Sequence, residues 1–365
     1  MPNSITNRQM MFILFLTLTA FTTIDIAKVM ARCAGTGSWI TIIITSVLFA
    51  LAAVVLVSLN NMFQGKVLFD YSKELIGRIG SYFVAIYYVQ YFVTVIVTLV
   101  LSVSTMLKMH FLLNTPTWAT MLAALPVFGF IAYKGVTNAA RLFEIYGIIL
   151  IVMATTVHVI MLLQGNPDHI LPLFIPSEIG RYLTSIKDAI FPFLGIEVLT
   201  IIPFTAKNGK KAAIKALVTI LSIGLFYILV IESSIMMVGL NEIAHYNYPL
   251  ITAIRLVELP FLRIFQRIDV LYLTVGFIGL FAGLSIVYLN IVEYICRMLP
   301  RVKRIYIVII VGLCIFLIGQ TIQSIDGIDR TLINVITLSG ILAAFIIPMT
   351  LLIIAKVKKH GKKAI

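Results

Sequence analysis

The sequence predicts an all-α integral membrane protein of ten transmembrane helices, and three observations predict it. Hydrophobic residues fill 61% of the 365 positions and charged residues only 12%, whereas a globular domain is roughly 45–50% apolar and about 25% charged. A soluble core of this length could not hide so much apolar surface. The apolar residues also fall in long runs, and about 20 in a row cross the hydrocarbon, because a helix rises ~1.5 Å per residue through ~30 Å. Finally, Lys and Arg concentrate between alternate runs, as in a chain threaded repeatedly through lipid.

Taken in order, the expected spans are Gln9–Arg32, Trp39–Leu59, Gly80–Leu107, Thr117–Tyr133, Leu142–Leu163, Leu183–Thr205, Ala212–Leu240, Val270–Met298, Ile305–Thr321 and Leu332–Lys356. The second carries no charge, and the third is long enough to tilt or project from the bilayer. The first is read as a retained span: it is too long for a signal peptide, has almost no basic lead and offers no small-x-small cleavage site. The longest connections, near 60–79, 164–182 and 241–269, leave no room for a separate soluble domain. Within the last of these, 249–265 reads as an outer amphipathic helix that lies in the interface or caps the bundle. Polar Thr252, Arg255, Glu258, Arg263 and Gln266 recur near helical spacing, with Pro249 at the start and Pro260 bending or ending it.

With the amino end in the cytoplasm, 19 of the 28 Lys and Arg residues fall on the inner side and 9 on the outer. That bias, and the even number of spans, places both termini inside. The net charge of +13 is thereby explained by topology, and the tail 357–365 is a juxtamembrane cluster facing anionic lipid rather than nucleic acid. Cys33, Cys296 and Cys314 are isolated, and the five histidines show no ligand spacing, so neither a metal nor a disulfide framework is expected. No nucleophile elbow, H-E-x-x-H, Walker loop or dinucleotide fingerprint is present, which argues against an enzyme, a bound cofactor and ATP-driven pumping.

The most informative local pattern is Phe191-Pro192-Phe193-Leu194-Gly195-Ile196-Glu197, inside the sixth span. Pro192 removes a backbone donor, Gly195 lets the chain leave helical geometry, and Glu197 puts a carboxylate where charge is costly. Two readings stay open: a proline kink with Glu197 capping local backbone, or a broken helix lining a binding site near the midplane. In a five-plus-five inverted repeat the counterpart is span one, where Thr22, Thr23 and Asp25 stand among hydroxyls without Gly or Pro. Threonines can bend a helix by bonding the preceding turn, and Asp25 either faces a ligand or pairs with Lys28.

Among the tyrosines of span three, Tyr82, Tyr87, Tyr88 and Tyr91 either line a pocket or pack helices, and Gln90 is the polar side chain at its centre. Glu232, with Ser233 and Ser234, marks either an ion-coupling group or a solvated helix end, and Glu293–Arg297 and Arg141–Glu144 read as interfacial pairs.

These residues resemble the spore germination permease family, the B subunits of spore germinant receptors. The likeness runs along the whole chain. It is carried by the polar lead Ile5-Thr6-Asn7-Arg8-Gln9, by Trp39 opening span two, and by Pro192–Glu197 followed by Pro203. It is carried further by Tyr248-Pro249 and by Gln266-Arg267-Ile268-Asp269, similar to the family's E-R-(L or I)-D before span eight. The sequence departs from the family where Ala20 and Ala27 replace a small glycine-containing break in span one, where Asp25 is added, and where Gln266 replaces Glu.

The resemblance implies a LeuT-like member of the amino acid–polyamine–organocation superfamily, with broken helices one and six. Its first repeat would cover 1–165 and its second 180–356. It implies residence in the spore inner membrane or cell membrane, a membrane A subunit and a lipoprotein C subunit as partners, and a small germinant such as an amino acid as ligand. The pocket would be formed by Thr22, Thr23, Asp25, Tyr88, Gln90, Phe193, Gly195, Glu197, Tyr272 and Thr274. Tyr248, Pro249, Arg267 and Asp269 would organise the outer entrance. Asp25 would repel a ligand carboxylate, or else the amine end of the ligand faces it. A secondary amino acid transporter coupled to H⁺ or Na⁺ is the competing expectation, with an assembly subunit carrying a dead pocket as a third.

Overall fold

The first helix begins where the sequence supplies a cap. Thr6 accepts from the Gln9 amide at 3.2 Å, and the Gln9 side chain accepts from the Thr6 amide at 3.1 Å, a reciprocal box that satisfies two orphan donors. The polar lead is therefore a helix start. The computed structural model describes residues 5–205, 209–257, 268–323 and 328–358, and among these every regular element is helical.

The helices are α1 (Asn7–Cys33), α2 (Ser38–Met62), α3 (Leu68–His110), α4 (Thr117–Lys134), α5 (Val136–Gln164), α6 (Ile179–Thr184) and α7 (Ile186–Phe193). They continue as α8 (Gly209–Val238), α9 (Leu240–Ile243), α10 (Pro249–Arg255), α11 (Ile268–Met298), α12 (Arg304–Gln323), α13 (Ile328–Ile341) and α14 (Ile347–Val357). Among the described residues seven helical stretches are long and apolar enough to cross a membrane, and α1, taken as one bent span, makes an eighth. The other two expected spans fall on α4 and on the interrupted segment that contains α7.

The connection expected at 60–79 is partly helical. Residues 68–76 form a helix joined to the third span across Gly77, whose φ of 79° is open to glycine at little cost. For the outer helix two placements are expected, in the interface or as a cap on the bundle. Its described part, α10, buries Pro249, Leu250, Ile251, Ala253 and Ile254 against α1, α8 and α11, so it caps the bundle instead of lying in the interface. Glu258, Pro260, Arg263, Gln266 and Arg267 lie outside the described residues, and so does the tail beyond Lys358.

α1 bends by 55° between Asn7–Thr19 and Thr22–Cys33 without glycine or proline. The hydroxyls of Thr17, Thr19 and Thr23 bond the carbonyls four residues back, at 2.7, 2.7 and 3.0 Å, a competition with the backbone ladder that bends helices. The last span is interrupted too: a π-helical turn, Leu342–Ile346, separates α13 from α14. Pro348 removes a donor just beyond it, and the Tyr88 hydroxyl bonds the Ala343 carbonyl at 2.7 Å.

Two helix groups build the interior. α1, α2, α7 and α8 pack on one another; α3, α4, α11 and α12 form the second group, and α1 lies against α11 where the groups meet. α2 and α8 approach closely at Gly224, where a Cβ would fall 2.6 Å from Ser46 Cβ. On the cytoplasmic-facing ends expected from the charge bias, Glu293 and Arg297 belong to a larger network than a local pair. Arg297 also bonds Asp70 of α3, and Arg304 of α12 reaches Glu293 at 3.0 Å.

Candidate functional site

The sixth span is broken where the sequence breaks it. α7 ends at Phe193, Leu194 is extended, Gly195 takes φ 129°, and a 3-10 helix runs from Ile196 to Ile201 with every residue buried. An L side chain at position 195 is disfavoured by that φ, and its Cβ would stand 3.1 Å from Thr17 and 3.2 Å from Leu18. The Gly195 amide, freed from helical pairing, donates to Glu197 Oε2 at 2.6 Å. Glu197 is fully buried, and its other oxygen, Oε1, has no hydrogen-bond partner.

The surroundings hold this irregular backbone in place. Asn60 of α2 donates to the Leu199 carbonyl at 2.8 Å and is itself held by the Tyr71 hydroxyl at 2.9 Å. The buried Tyr227 hydroxyl of α8 lies 2.8 Å from two carbonyl oxygens, those of Leu18 in α1 and Pro192 in α7. Non-helical backbone is tolerated at membrane depth only with such partners.

Two adjoining cavities meet this break. A small one of about 40 Å³ is lined by Thr22, Tyr91, Phe92, Phe191, Gly195 and Glu197. A larger one of about 530 Å³ lies on the Cys33 side of the break and is lined by Thr22, Asp25, Lys187, Asp188, Phe191 and Asn334. Thr22, Leu99 and Phe191 belong to both walls, so they form the partition. Asp25 Oδ1 is buried and without a hydrogen-bond partner.

The structure brings together Thr22, Gly195 and Glu197 in the small cavity, with Asp25 next door. The other expected pocket residues stand elsewhere. Gln90 is exposed on the outer face of α3; its neighbour Tyr91, about 100° around the helix, faces Glu197 instead. Tyr88 is buried against Tyr294, with ring centroids 5.4 Å apart, and supports the π-turn. Phe193 points into the α2–α8 contact, stacked on Phe49 at 5.5 Å and edge-on to Tyr227 at 5.2 Å. Thr274 is exposed and bonds the Val270 carbonyl at 2.7 Å.

Thr23 and Tyr272 face a separate apolar cavity of about 50 Å³ across α1. Its lining residue Tyr272 is bonded by His158 at 3.2 Å, and His158 bonds Ser233 at 2.8 Å. Glu232 is not a solvated end: both carboxylate oxygens are buried without a hydrogen-bond partner. Of the outer motif, Tyr248 meets His110 edge-on at 5.4 Å, Pro249 opens α10, and Asp269 lies in the first turn of α11. Asn60, His158 and Tyr227 escaped sequence reasoning; each is a polar group in or at the end of an apolar run, a signal that does not say which neighbour it meets.

Comparison with solved structures shows a LeuT-like transporter fold. A Na⁺-coupled sialic acid symporter in a substrate-bound outward-open state superposes with a TM-score of 0.67 at 12% identity, over 93% of this chain and 77% of that one. MhsT in complex with L-phenylalanine gives 0.64 at 14% identity over 98% and 99%. The Eremococcus coleocola manganese transporter gives 0.63 at 13% identity over 98% and 80%. Among curated relatives, spore germination protein YndE of Bacillus subtilis (strain 168) is 22% identical over 250 residues, 68% of each chain. Spore germination protein GerLB of Bacillus cereus is 24% identical over 200 residues, 53% of this chain and 52% of that one. The family model described as spore germination protein matches residues 4–328, so this broken-helix membrane protein belongs to the spore germination protein family.

Proposed function

We propose that this chain is the germinant-sensing B subunit of a spore germinant receptor, which binds a small nutrient, an amino acid first among candidates, in the cavity at the span-six break. The observation that carries the reading is Glu197: a fully buried carboxylate at a helix break, with one oxygen unpartnered beside a small cavity. A buried charge of that kind is costly unless a partner completes it, and in membrane proteins it marks a ligand or ion path.

In this reading the chain has ten spans in two inverted five-helix repeats, 1–165 and 180–356, with both termini cytoplasmic. It sits in the spore inner membrane beside an A subunit and a lipoprotein C subunit. The ligand enters from the Asp25 cavity, past an outer entrance organised by Tyr248, Pro249, Arg267 and Asp269. It closes the two bent helices around itself. Signalling requires that the ligand bind one arrangement of the two helix groups better than the other. Family membership, the relative GerLB and the substrate-bound neighbours support this picture.

Direct binding of amino acids and sugars to the purified chain tests it, together with the dose response of germination. Glu197→Gln is expected to shift that dose response to higher ligand; an unchanged curve removes the role given to Glu197. A dead-pocket assembly subunit would tolerate Gly195→Trp with germination intact. Secondary transport coupled to H⁺ or Na⁺ is the second reading, favoured by the two buried, incompletely partnered carboxylates Glu197 and Glu232. Fold alone does not choose between them. Accumulation of labelled amino acid in proteoliposomes would establish transport; binding without uptake supports sensing.

A further inference from the structure

We propose that the groove between α1, α5 and α8 is a binding site for an anionic phospholipid. One acyl chain lies along the groove, and the phosphate sits at a mouth formed by Arg8, Lys211 and Lys215. The site is separate from the cavities at the span-six break and stands whatever those cavities bind.

The groove, of about 840 Å³, is walled by Phe12 and Phe15 of α1, Ile151 and Leu162 of α5, and Leu225 and Leu229 of α8. Arg8 alone among the described lining residues carries a charge. The contributions follow helical spacing: Arg8, Phe12 and Phe15 on α1, and Ser222, Leu225 and Leu229 on α8. Continued towards the start of α8, the second stripe reaches Lys215 and Lys211, both exposed. One end of the groove is therefore basic and the rest of its length is mainly apolar. From Thr219 to Leu229, α8 rises about 15 Å, half of the ~30 Å hydrocarbon. That is the depth of one leaflet. A partner helix that crosses the bilayer needs a face twice as long, whereas an acyl chain needs one leaflet.

The charge at the mouth selects the headgroup. Glu144 is the acid there; it meets Arg8 Nε at 3.0 Å and accepts from the Gln9 side chain at 3.2 Å. It orients the guanidinium, whose planar fork carries five donors and can serve a phosphate as well. Lys211 and Lys215 make no ion pair among the described residues. Three bases against one acid leave the mouth positive, which suits an anionic headgroup better than a zwitterionic one.

The occupant would also brace α1. The segment Asn7–Thr19 ends at the 55° bend. It presents Phe12 and Phe15 to the groove and Thr17 to the small cavity at the break. A chain packed on the first two residues holds in place the part of α1 that carries the third. Lipid composition is thereby coupled to the shape of that cavity.

The test uses the full-length chain purified in detergent, with native mass spectrometry and thermal unfolding as readouts. The probes are dioleoylphosphatidylglycerol, dioleoylphosphatidylcholine and glycerol 3-phosphate. Phosphatidylglycerol is expected to be retained about tenfold better than phosphatidylcholine. It should also raise the unfolding midpoint by about 3 °C, as a ligand of the folded state does. Glycerol phosphate, which has no chain, should do neither; a full shift with it would show that the groove plays no part. Lys211→Gln combined with Lys215→Gln should lower the preference for phosphatidylglycerol by about fivefold or more. Leu225→Trp, at a position 69% exposed, should fill the groove and weaken retention of both lipids while the midpoint without lipid stays unchanged. Equal retention of the two lipids by the wild type overturns the proposal, and so does an undiminished preference in the double-lysine variant. A groove covered by a second copy would instead give a dimer on gel filtration that Leu225→Trp dissociates, which also overturns it.

Discussion

Tyr227 and Pro192 stand 35 positions apart in sequence, and the tyrosine hydroxyl lies 2.8 Å from the proline carbonyl oxygen. That carbonyl sits where span six leaves helical geometry, so it needs a donor from another helix. The same hydroxyl reaches the Leu18 carbonyl at 2.8 Å, beside the bend in α1. One side chain of α8 thereby ties together the two interrupted spans. Tyr227→Phe keeps the ring contact with Phe193 and deletes the donor. We expect a loss of about 1–3 kcal/mol, the cost of unsatisfied buried acceptors, read as a lower unfolding midpoint in detergent. A midpoint equal to wild type would show that the clamp contributes nothing.

Gly195→Ala is expected to be worse than its one added methyl suggests. The residue holds φ 129°, and the new Cβ would press on Thr17 and Leu18 at 3.1 and 3.2 Å. Strain of this kind costs about 1–3 kcal/mol. It should also displace the amide that bonds Glu197. Reduced ligand binding together with a lower midpoint is the expected outcome, and normal binding would mean that the break tolerates a side chain.

The close approach of α2 and α8 gives a reciprocal experiment. Gly224→Val should destabilise by about 1–3 kcal/mol through overpacking, because the Cβ position is 2.6 Å from Ser46 Cβ. Ser46→Gly in the same chain removes the obstructing side chain and should recover part of that loss. Strict additivity of the two changes, measured as a double-mutant cycle on unfolding midpoints, would place the clash elsewhere.

Asp70, Arg297, Glu293 and Arg304 form one charge network joining α3, α11 and α12. Arg304 also donates to the Ala132 carbonyl of α4 at 3.0 Å. Glu293 is the hinge of the network, since both arginines bond it. Glu293→Gln leaves them facing each other and should cost about 2 kcal/mol, as for hydrogen bonds to charged groups. Arg141→Gln, which none of these contacts involves, is the control. Equal stabilities for the two variants would count against the network.

How much of this was legible beforehand differs from residue to residue. A kink or break at 192–197 could be read because Pro192 removes a backbone donor and Gly195 permits non-helical backbone, and a buried Glu197 announces itself by its cost in lipid. The bend in α1 was legible only as a run of hydroxyls. The facing of the side chains was not legible at all: Gln90 turns outward and Tyr91 inward, and Thr22 and Thr23 line cavities on different sides of one helix.

The sequence by itself determined that this is a helical membrane protein whose sixth span is either kinked or broken at 192–197, since hydrophobic run length, proline, glycine and buried charge act locally and through the solvent. Only the tertiary structure decided that Tyr227 closes two breaks, that His158 joins Ser233 to Tyr272, and that Glu197 takes the Gly195 amide its own break sets free. The reason is physical. In lipid a helix is apolar all round, so the polarity pattern that marks the inner face of a soluble helix is missing, and side-chain facing is settled by packing against neighbours distant in sequence.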